Sequence, residues 1–249
     1  MVDSNLAPNA QVNVQTHIQT NDLGQPTGLA LDHWVARTRP LRTTMTGRYC
    51  RVETLSPEVH GAQLYSAFAA DNESRNWTYL PYGPFDTLDE FNQWLRTSCC
   101  GEDPLFYAIV DNKTDEAVGI ASYLRIEPGV GVIEVGHIHF SPRLQQTPLA
   151  TEVMFLMMQR VFDELGYRRY EWKCDNCNEA SKRAALRLGL SFEGIFRQAT
   201  MYKGRNRDTA WFSILDSEWP QQKAAFQRWL TPDNFDAAGV QKRSLQECF

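Results

Sequence analysis

The chain has 249 residues, a formal net charge of −5 and a charged fraction of 22%. A mildly acidic chain without a basic patch excludes general nucleic-acid binding. No stretch approaches the ~18 uninterrupted apolar residues of a membrane span, and the first thirty residues lack the apolar centre of a secretory signal. The sequence therefore predicts an intracellular, cytoplasmic protein with no membrane association and with enough length to bury a core.

The two ends of the chain differ in composition from the middle. Residues 1–40 are polar and punctuated by proline and glycine, which predicts an extended N-terminal arm. Residues 232–249 are again polar and predict a C-terminal tail. Between them, residues 41–231 alternate strand and helix patterns without an internal repeat, which predicts one α/β domain.

The first half of this domain begins with a strand over 49–54, where side chains alternate in polarity. Ser56 followed by Pro57 is typical of a helix start, and Thr87 with Glu90 forms a capping box for a second helix. An aromatic loop with two prolines, 76–85, lies between the two helices. Two antiparallel strands are predicted next, at 105–111 and 117–126.

The segment 133–194 has the order strand, helix, strand, helix, strand. A parallel pair of strands joined through a helix implies a right-handed crossover, which directs the amino end of that helix out from the sheet edge. This amino end, 145–151, offers backbone N–H groups and the positive end of a helix dipole, both of which suit a phosphate. A final hairpin over 191–215 and a helix over 218–230 complete the predicted domain.

Six cysteines raise the question of a metal or redox site. Cys174 and Cys177 have the spacing of half a zinc site, but no second close pair of Cys or His residues accompanies them. Cys99 and Cys100 are adjacent rather than spaced. We therefore predict no metal site, and buried or half-buried thiols in a reducing compartment.

Several motifs in the second half carry a resemblance to a known family. In order they are EVGHIHFSP, then Q-x-T-x-x-A-T-E at a helix start, N-x-x-S-x-x-x-A-x-x-L-G, E-G-x-x-R and G-R-N-R-D-T. Together they resemble the GNAT superfamily of acetyl-CoA-dependent N-acyltransferases, and within it the RimJ/RimL type. The likeness extends over roughly 47–219. It departs from the family in the glycine-rich phosphate loop, where Pro148 and Leu149 stand here.

The resemblance implies a fold and a cosubstrate. The fold is α/β, with a mixed, mostly antiparallel sheet of about six to seven strands, helices on both faces and a splayed central strand pair. The cosubstrate is acetyl-CoA. The residues that the resemblance places against it are those of the central strand, the helix start and the N-x-x-S motif: Ile138, His139, Phe140, Gln145, Gln146, Thr147, Ala150, Thr151, Asn178 and Ser181.

Direct acetyl transfer requires a base for the amine, polarisation of the thioester carbonyl and a proton for the leaving thiolate. Glu134 resembles the family's glutamate on the central strand and is the predicted base, while His137 is an alternative because its ordinary pKa lies near neutrality. Regular alternation would put Glu134, Gly136 and Ile138 on one strand face, with Val135, His137 and His139 on the other. Ala185 replaces the tyrosine that many relatives use as the acid, so Ser181 or water is expected to serve.

The acceptor site is predicted from the aromatic loop. By resemblance this loop borders the acceptor side, which makes Trp77, Tyr79, Tyr82 and Phe85 candidates for substrate binding. The same residues could instead form the internal packing of the loop.

Three functions remain open at this point: acetylation of a small primary amine, acetylation of a peptide N-terminus or ribosomal protein, and acyl-CoA binding without catalysis. A monomer or a homodimer is expected.

Overall fold

The computed structural model describes residues 18–237 and 239–249, and the chain divides into two compact units, 1–35 and 36–249. Within the first unit, the described residues form a small antiparallel hairpin of β1 (Gln19–Thr20) and β2 (Pro26–Thr27). The predicted N-terminal arm extended to residue 40, whereas the larger unit begins at residue 36. Residues 1–17 of that arm lie outside the described residues.

The larger unit is built on one eight-stranded sheet with the order β3-β4-β5-β6-β7-β8-β10-β9. Its strands are β3 (Met45–Thr46), β4 (Cys50–Thr54), β5 (Leu105–Asp111), β6 (Glu116–Glu127), β7 (Val132–Phe140), β8 (Arg169–Asp175), β9 (Ser191–Tyr202) and β10 (Arg205–Leu215). Within this sheet β7 and β8 are parallel and the other neighbouring pairs are antiparallel. The predicted mostly antiparallel α/β sheet is confirmed, and the eighth strand is the two-residue β3 at one edge.

Helices cover both faces of the sheet, as the resemblance implied. The five α-helices of the described residues are α1 (Pro57–Ala69), α2 (Leu88–Trp94), α3 (Pro148–Gln159), α4 (Glu179–Arg187) and α5 (Trp219–Trp229). Helices α1 and α2 pack in one apolar cluster with β5 and β6, and we call this side the α1 face. The other three helices contribute to a second cluster, on what we call the α3 face. None of these helices is long and apolar enough to cross a membrane.

The C-terminal segment 232–249 was predicted as a polar tail, and the structure corrects this. Leu245 is fully buried and belongs to the cluster on the α3 face, and Cys248 is buried in the same cluster. Asn234 holds the segment in place because its side chain donates to the carbonyl of Trp229 and accepts from the N–H of Arg243. The average composition of the segment is polar, so it did not reveal the few apolar side chains that pack against the domain.

The central strand pair diverges, and this divergence creates the space for a site. Parallel pairing of β7 with β8 begins at Val132 with Arg169 and ends at Val135 with Trp172. Beyond that point β8 continues to pair with β10, while β7 continues to pair with β6. The two strands therefore separate, leaving a gap between their carboxyl-terminal halves.

Most of the aromatic loop packs inside the domain on the α1 face. Trp77 is only 5% exposed and meets the rings of Phe68 and Phe85 edge-on. Gly83 packs directly beneath it, since a Cβ at that position would lie 2.4 Å from the Trp77 ring. For Trp77 and Phe85 the structure thus agrees with the alternative interpretation, internal packing, rather than with the predicted acceptor wall.

This packing predicts the effect of truncating Trp77. Trp77→Ala removes a large buried ring and should lower the free energy of unfolding by about 3–5 kcal/mol, measured by urea denaturation. Tyr79→Phe, in the same loop, removes only one hydrogen bond and should cost about 1 kcal/mol. If the Trp77→Ala protein instead kept normal stability and had a raised Michaelis constant for an amine, Trp77 would be part of the acceptor site.

Candidate active site

A cleft of about 1230 Å³ lies where β7 and β8 separate. It is bordered by the carboxyl-terminal half of β7, the start of α3, helix α4 and the ends of β9 and β10 next to the turn that joins them. The predicted catalytic and cofactor-binding residues all line it: Glu134, His137, Ile138, His139, Phe140, Gln145, Gln146, Thr147, Ala150, Thr151, Asn178 and Ser181. Of the four predicted aromatic residues Tyr79 lines the cleft, whereas Trp77, Tyr82 and Phe85 do not.

A bulge in β7 changes the predicted alternation of side chains. Ser122 of β6 pairs with Gly136, but the pairing after it is Ile120 with His139, so β7 has one extra residue here. His137 accommodates the extra residue by adopting a left-handed φ of 50°. Residues directly paired across a sheet share a face, which puts Gly136 and His139 on the same side.

The bulge brings together groups that alternation would have separated. Glu134 and Gly136 share a face, and His139 now joins them and stacks on Phe68 at a ring separation of 3.9 Å. Ile138 packs instead with the cluster on the α3 face. The predicted grouping of Ile138 with Glu134, and of His139 with Val135, is therefore wrong, because regular alternation does not continue through a bulge.

Glu134 is a buried carboxylate with two cationic neighbours. Its Oε2 lies 2.9 Å from Nζ of Lys173 and 3.4 Å from Nε of Arg125. Burial raises the pKa of the Glu134 carboxyl, and the charge of Lys173 opposes part of that rise. Its Oε1 lies 3.6 Å from the position that a Cβ on Gly136 would take, so it is next to the one residue of the strand without a side chain. A carboxylate with a raised pKa is suited to accept a proton near neutral pH.

Both histidines of the strand are neutral at physiological pH. Burial, assisted by the charges of Arg125 and Arg207, lowers the pKa of His137 to about 4, and burial lowers the pKa of His139 to about 3. His137 Nδ1 shares a hydrogen bond of 3.1 Å with the hydroxyl of Tyr82. A histidine with such a low pKa is a weak base, which favours Glu134 over His137 for proton removal.

Asn178 and Ser181 have local roles at the start of α4. The Asn178 side chain caps the helix by accepting from the N–H of Ser181 at 3.1 Å. The Ser181 hydroxyl accepts from Nε1 of Trp172 at 2.9 Å, so its own proton can be donated, and the Cys174 sulfur is one acceptor within its reach. Helix capping is therefore an observed role of Asn178, and it positions Ser181 in the cleft wall.

The amino end of α3 offers fewer N–H groups than a glycine-rich loop. Pro148, the first helical residue, has none, and the N–H of Ala150 is taken by the Thr147 hydroxyl at 3.3 Å. Two arginines of α4 line the same part of the cleft, and Arg187 donates to the Thr151 hydroxyl at 3.0 Å. Sequence reasoning missed Arg183 and Arg187, although their spacing of four residues puts both on one helix face.

Hydrogen bonds between loops link the elements around the part of the cleft that Tyr79 lines. Tyr79 donates its hydroxyl to the carbonyl of Cys177 at 3.0 Å, and Lys203 donates to the carbonyl of Trp77 at 2.7 Å. The aromatic loop is therefore tied both to the turn before α4 and to the turn between β9 and β10. The six cysteines are free thiols, and the described residues contain no group of three or more His, Cys, Asp or Glu side chains that could hold a metal ion.

The depressed pKa of His139 predicts a loss of stability in acid. Below the ordinary histidine pKa of about 6.5 the unfolded chain binds a proton that the folded chain does not, so stability falls until the folded pKa of about 3 is reached. Between pH 7 and pH 5 this residue should cost about 2 kcal/mol. His139→Phe keeps a stacked ring and should abolish that part of the loss, measured by urea denaturation at both pH values. Equal pH dependence in the two proteins would contradict the assigned burial.

Comparison with known proteins agrees with this geometry. Residues 51–191 match the acetyltransferase (GNAT) domain. A crystal structure of a GCN5-related N-acetyltransferase from Brucella melitensis is 50% identical, with a TM-score of 0.86 over 88% of this chain and 99% of that one. A crystal structure of a probable GNAT-family acetyltransferase from Chromobacterium violaceum is 41% identical, with a TM-score of 0.73. The match covers 79% of this chain and 98% of that one.

A further relative matches at the level of sequence. The ribosomal-protein-serine acetyltransferase of Escherichia coli is 25% identical over 166 residues, which is 65% of this chain and 90% of that protein. These matches confirm the resemblance read from the motifs. The chain therefore belongs to the GNAT family and is an acetyltransferase.

Proposed function

We propose that this protein transfers an acetyl group from acetyl-CoA to the primary amine of a small molecule, by direct attack. The observation that carries the proposal is the shared cleft, in which the diverging strands, the amino end of α3 and the buried Glu134 meet. An extended ligand with amides in its chain fits the gap, because the edge of β7 that faces β8 loses its backbone partners beyond Val135.

The residues of the cleft fit acetyl-CoA at both ends. The dipole of α3 and the guanidinium groups of Arg183 and Arg187 would hold its phosphates, and these side chains compensate for the few N–H groups of the loop. The backbone of Gly136 to Phe140 would pair with the pantetheine arm. Asn178 and Ser181 would lie along that arm, on the opposite wall of the gap.

The chemistry would then be divided among three groups. Glu134 would take the proton of the amine, directly or through a water, because burial raises its proton affinity. A backbone N–H near Ile138 or His139 would stabilise the negative charge that develops on the thioester carbonyl. Ser181, whose oxygen already accepts from Trp172, would donate a hydrogen bond to the departing thiolate, which would take its proton from water, directly or through the Ser181 hydroxyl, so that no serine alkoxide remains.

A small acceptor is favoured over a peptide N-terminus by the hydrogen bonds that link the loops on this side of the cleft. An open groove is needed to admit a protein chain, whereas here Lys203 and Tyr79 tie the aromatic loop across the acceptor side. Acetylation of a ribosomal protein, suggested by the name of the Escherichia coli relative, is the alternative. A cytoplasmic location and a monomeric or homodimeric state stay predictions.

Isothermal titration with acetyl-CoA followed by a thiol-release assay with a panel of amines tests this proposal. Binding with turnover on small amines would support it. Binding without turnover on any amine would favour a non-catalytic acyl-CoA-binding regulator. Turnover on peptide N-termini alone would favour the protein acetyltransferase.

The phosphate site predicts the effect of a carboxylate at Thr151. Thr151→Asp would engage Arg187 and repel the phosphates, so acetyl-CoA affinity measured by calorimetry should fall about 10- to 100-fold. Thr151→Val is the matched control, since it keeps the shape without adding a charge and should have a much smaller effect. An unchanged affinity in Thr151→Asp would mean that the phosphates bind elsewhere.

The base assignment predicts a selective loss of turnover. Glu134→Gln should lower kcat by ~10²–10⁴-fold near neutral pH with acetyl-CoA binding preserved, and the deficit should shrink at high pH, where the amine is already deprotonated. Glu171→Gln is the matched control: Glu171 pairs with the same Lys173 at 2.7 Å but does not line the cleft, so its loss should leave turnover largely intact.

Two outcomes would overturn this assignment. Equal losses in Glu134→Gln and Glu171→Gln would assign the effect to the charge network around Lys173 rather than to proton transfer. Normal turnover in Glu134→Gln combined with a large loss in His137→Ala would make His137 the base.

A further inference from the structure

The cleft is strongly cationic, although the chain as a whole is acidic. Among the described residues, six cationic side chains line it against two carboxylates, Glu134 and Asp175. The cationic residues are Arg75, Arg125, Lys173, Arg183, Arg187 and Arg207. Such an excess of one charge in a concave site selects ligands of the opposite charge. Each cation is therefore expected to face an anion, either within the protein or on a bound ligand.

Three of the six have carboxylate partners within the protein. Lys173 lies between Glu134 and Glu171, at 2.9 Å and 2.7 Å. Arg125 shares Glu134 at 3.4 Å, and Arg75 pairs with Glu73. These cations are neutralised locally and leave little charge for a ligand.

Two others belong to the cosubstrate end. Arg183 and Arg187 project from the same face of α4, and Arg187 contacts Thr151 at the amino end of α3. The phosphates of acetyl-CoA account for both. Arg207 on β10 is then the remaining cation.

Arg207 lies near the gap between β7 and β8, where the thioester of acetyl-CoA would bind. Its charge acts on His137, Cys174 and Tyr202, which belong to the walls around the strand gap, and its guanidinium carbon lies 5.8 Å from the Tyr202 ring centroid. Its Nε is buried and makes no hydrogen bond within the protein. A buried charged donor without an acceptor is costly, and a planar guanidinium is best satisfied by a carboxylate bound through two parallel hydrogen bonds.

The cosubstrate does not supply that anion. The end of acetyl-CoA remote from its phosphates consists of amides and a thioester, which carry no charge. An anion beside His137 and Tyr202 must therefore come from the acceptor. Tyr202 is not available as a neutral donor for a second ligand, because its hydroxyl already donates to Asp175 at 2.7 Å.

We propose that the acceptor is an amino carboxylate, a small molecule whose primary amine lies close to a carboxylate, and that Arg207 binds this carboxylate. The inference rests on the proposed function and narrows its substrate class. Glu134 and Arg207 then divide the recognition: the carboxylate of Glu134 faces the amine, and the guanidinium of Arg207 faces the acid group.

The test compares matched acceptors in the thiol-release assay. Each α-amino acid of a panel is paired with its own carboxamide, which keeps the amine and side chain but lacks the negative charge. We expect kcat/KM to be at least about tenfold higher for the acid than for the amide in the best pair, since a charge-assisted bidentate contact is worth that factor or more. The amine of the carboxamide is the more readily deprotonated, so this bias works against the expected result.

Substitution of Arg207 completes the test. Arg207→Gln should lower kcat/KM for the acid by about 10- to 100-fold and reduce the preference to within about threefold, while activity on the amide and the Kd for acetyl-CoA stay unchanged. The unchanged Kd also reports that the variant is folded. Arg205→Gln, in the same hairpin but outside the cleft lining, should behave as the wild type.

The failures can be told apart. Release of no thiol with any amine would overturn the proposed function and this inference with it. Equal use of acids and amides by the wild type would overturn the inference alone. A raised Kd for acetyl-CoA in Arg207→Gln would assign Arg207 to the cosubstrate and equally overturn it.

Discussion

The end of the pairing between β7 and β8 is the constraint on which the site depends. A parallel pair that continued to Phe140 would close the sheet and leave no cleft. Because the pairing stops at Val135 and Trp172, the carboxyl-terminal half of β7 keeps β6 on one edge and presents its other edge to the gap. Unpaired backbone groups need partners, so the same feature that opens the cleft also prepares it for an extended polar ligand.

The start of α3 is fixed against the far side of the sheet by a single buried carboxylate. Glu152 accepts from the backbone N–H groups of Arg48, Tyr49 and Cys50 at 2.8, 2.6 and 3.0 Å. Gly47 is required beside it, since a Cβ there would lie 2.4 Å from the carboxylate. Three satisfied hydrogen bonds offset the cost of burying the charge, and they hold the helix end at the mouth of the cleft.

The order of the motifs was enough to predict the family, the mixed sheet, the splayed pair and many of the residues that line the cleft. It could not predict the bulge at His137, because a one-residue insertion into a strand depends on the register with β6 and leaves no local signature. Nor could it separate Trp77, which packs in the core, from Tyr79, which lines the cleft, since both are aromatic residues of one loop. Arg207 belongs to the motif G-R-N-R-D-T, but only the structure shows that it has no acidic partner within ion-pair distance among the described residues.

The cations around the cleft differ in whether they have an acidic partner within the protein. On the α1 face, Glu134, Lys173, Glu171 and Arg169 alternate in sign across neighbouring strands, so each buried charge has an opposite neighbour. Within this row of alternating charges, burial raises the pKa of Glu134 and the charge of Lys173 opposes that rise. Arg207 does not belong to this row of paired charges. The buried Nε of Arg207 has no acceptor within the described part of the protein, which is costly, and an anionic group on the acceptor would remove that cost on binding.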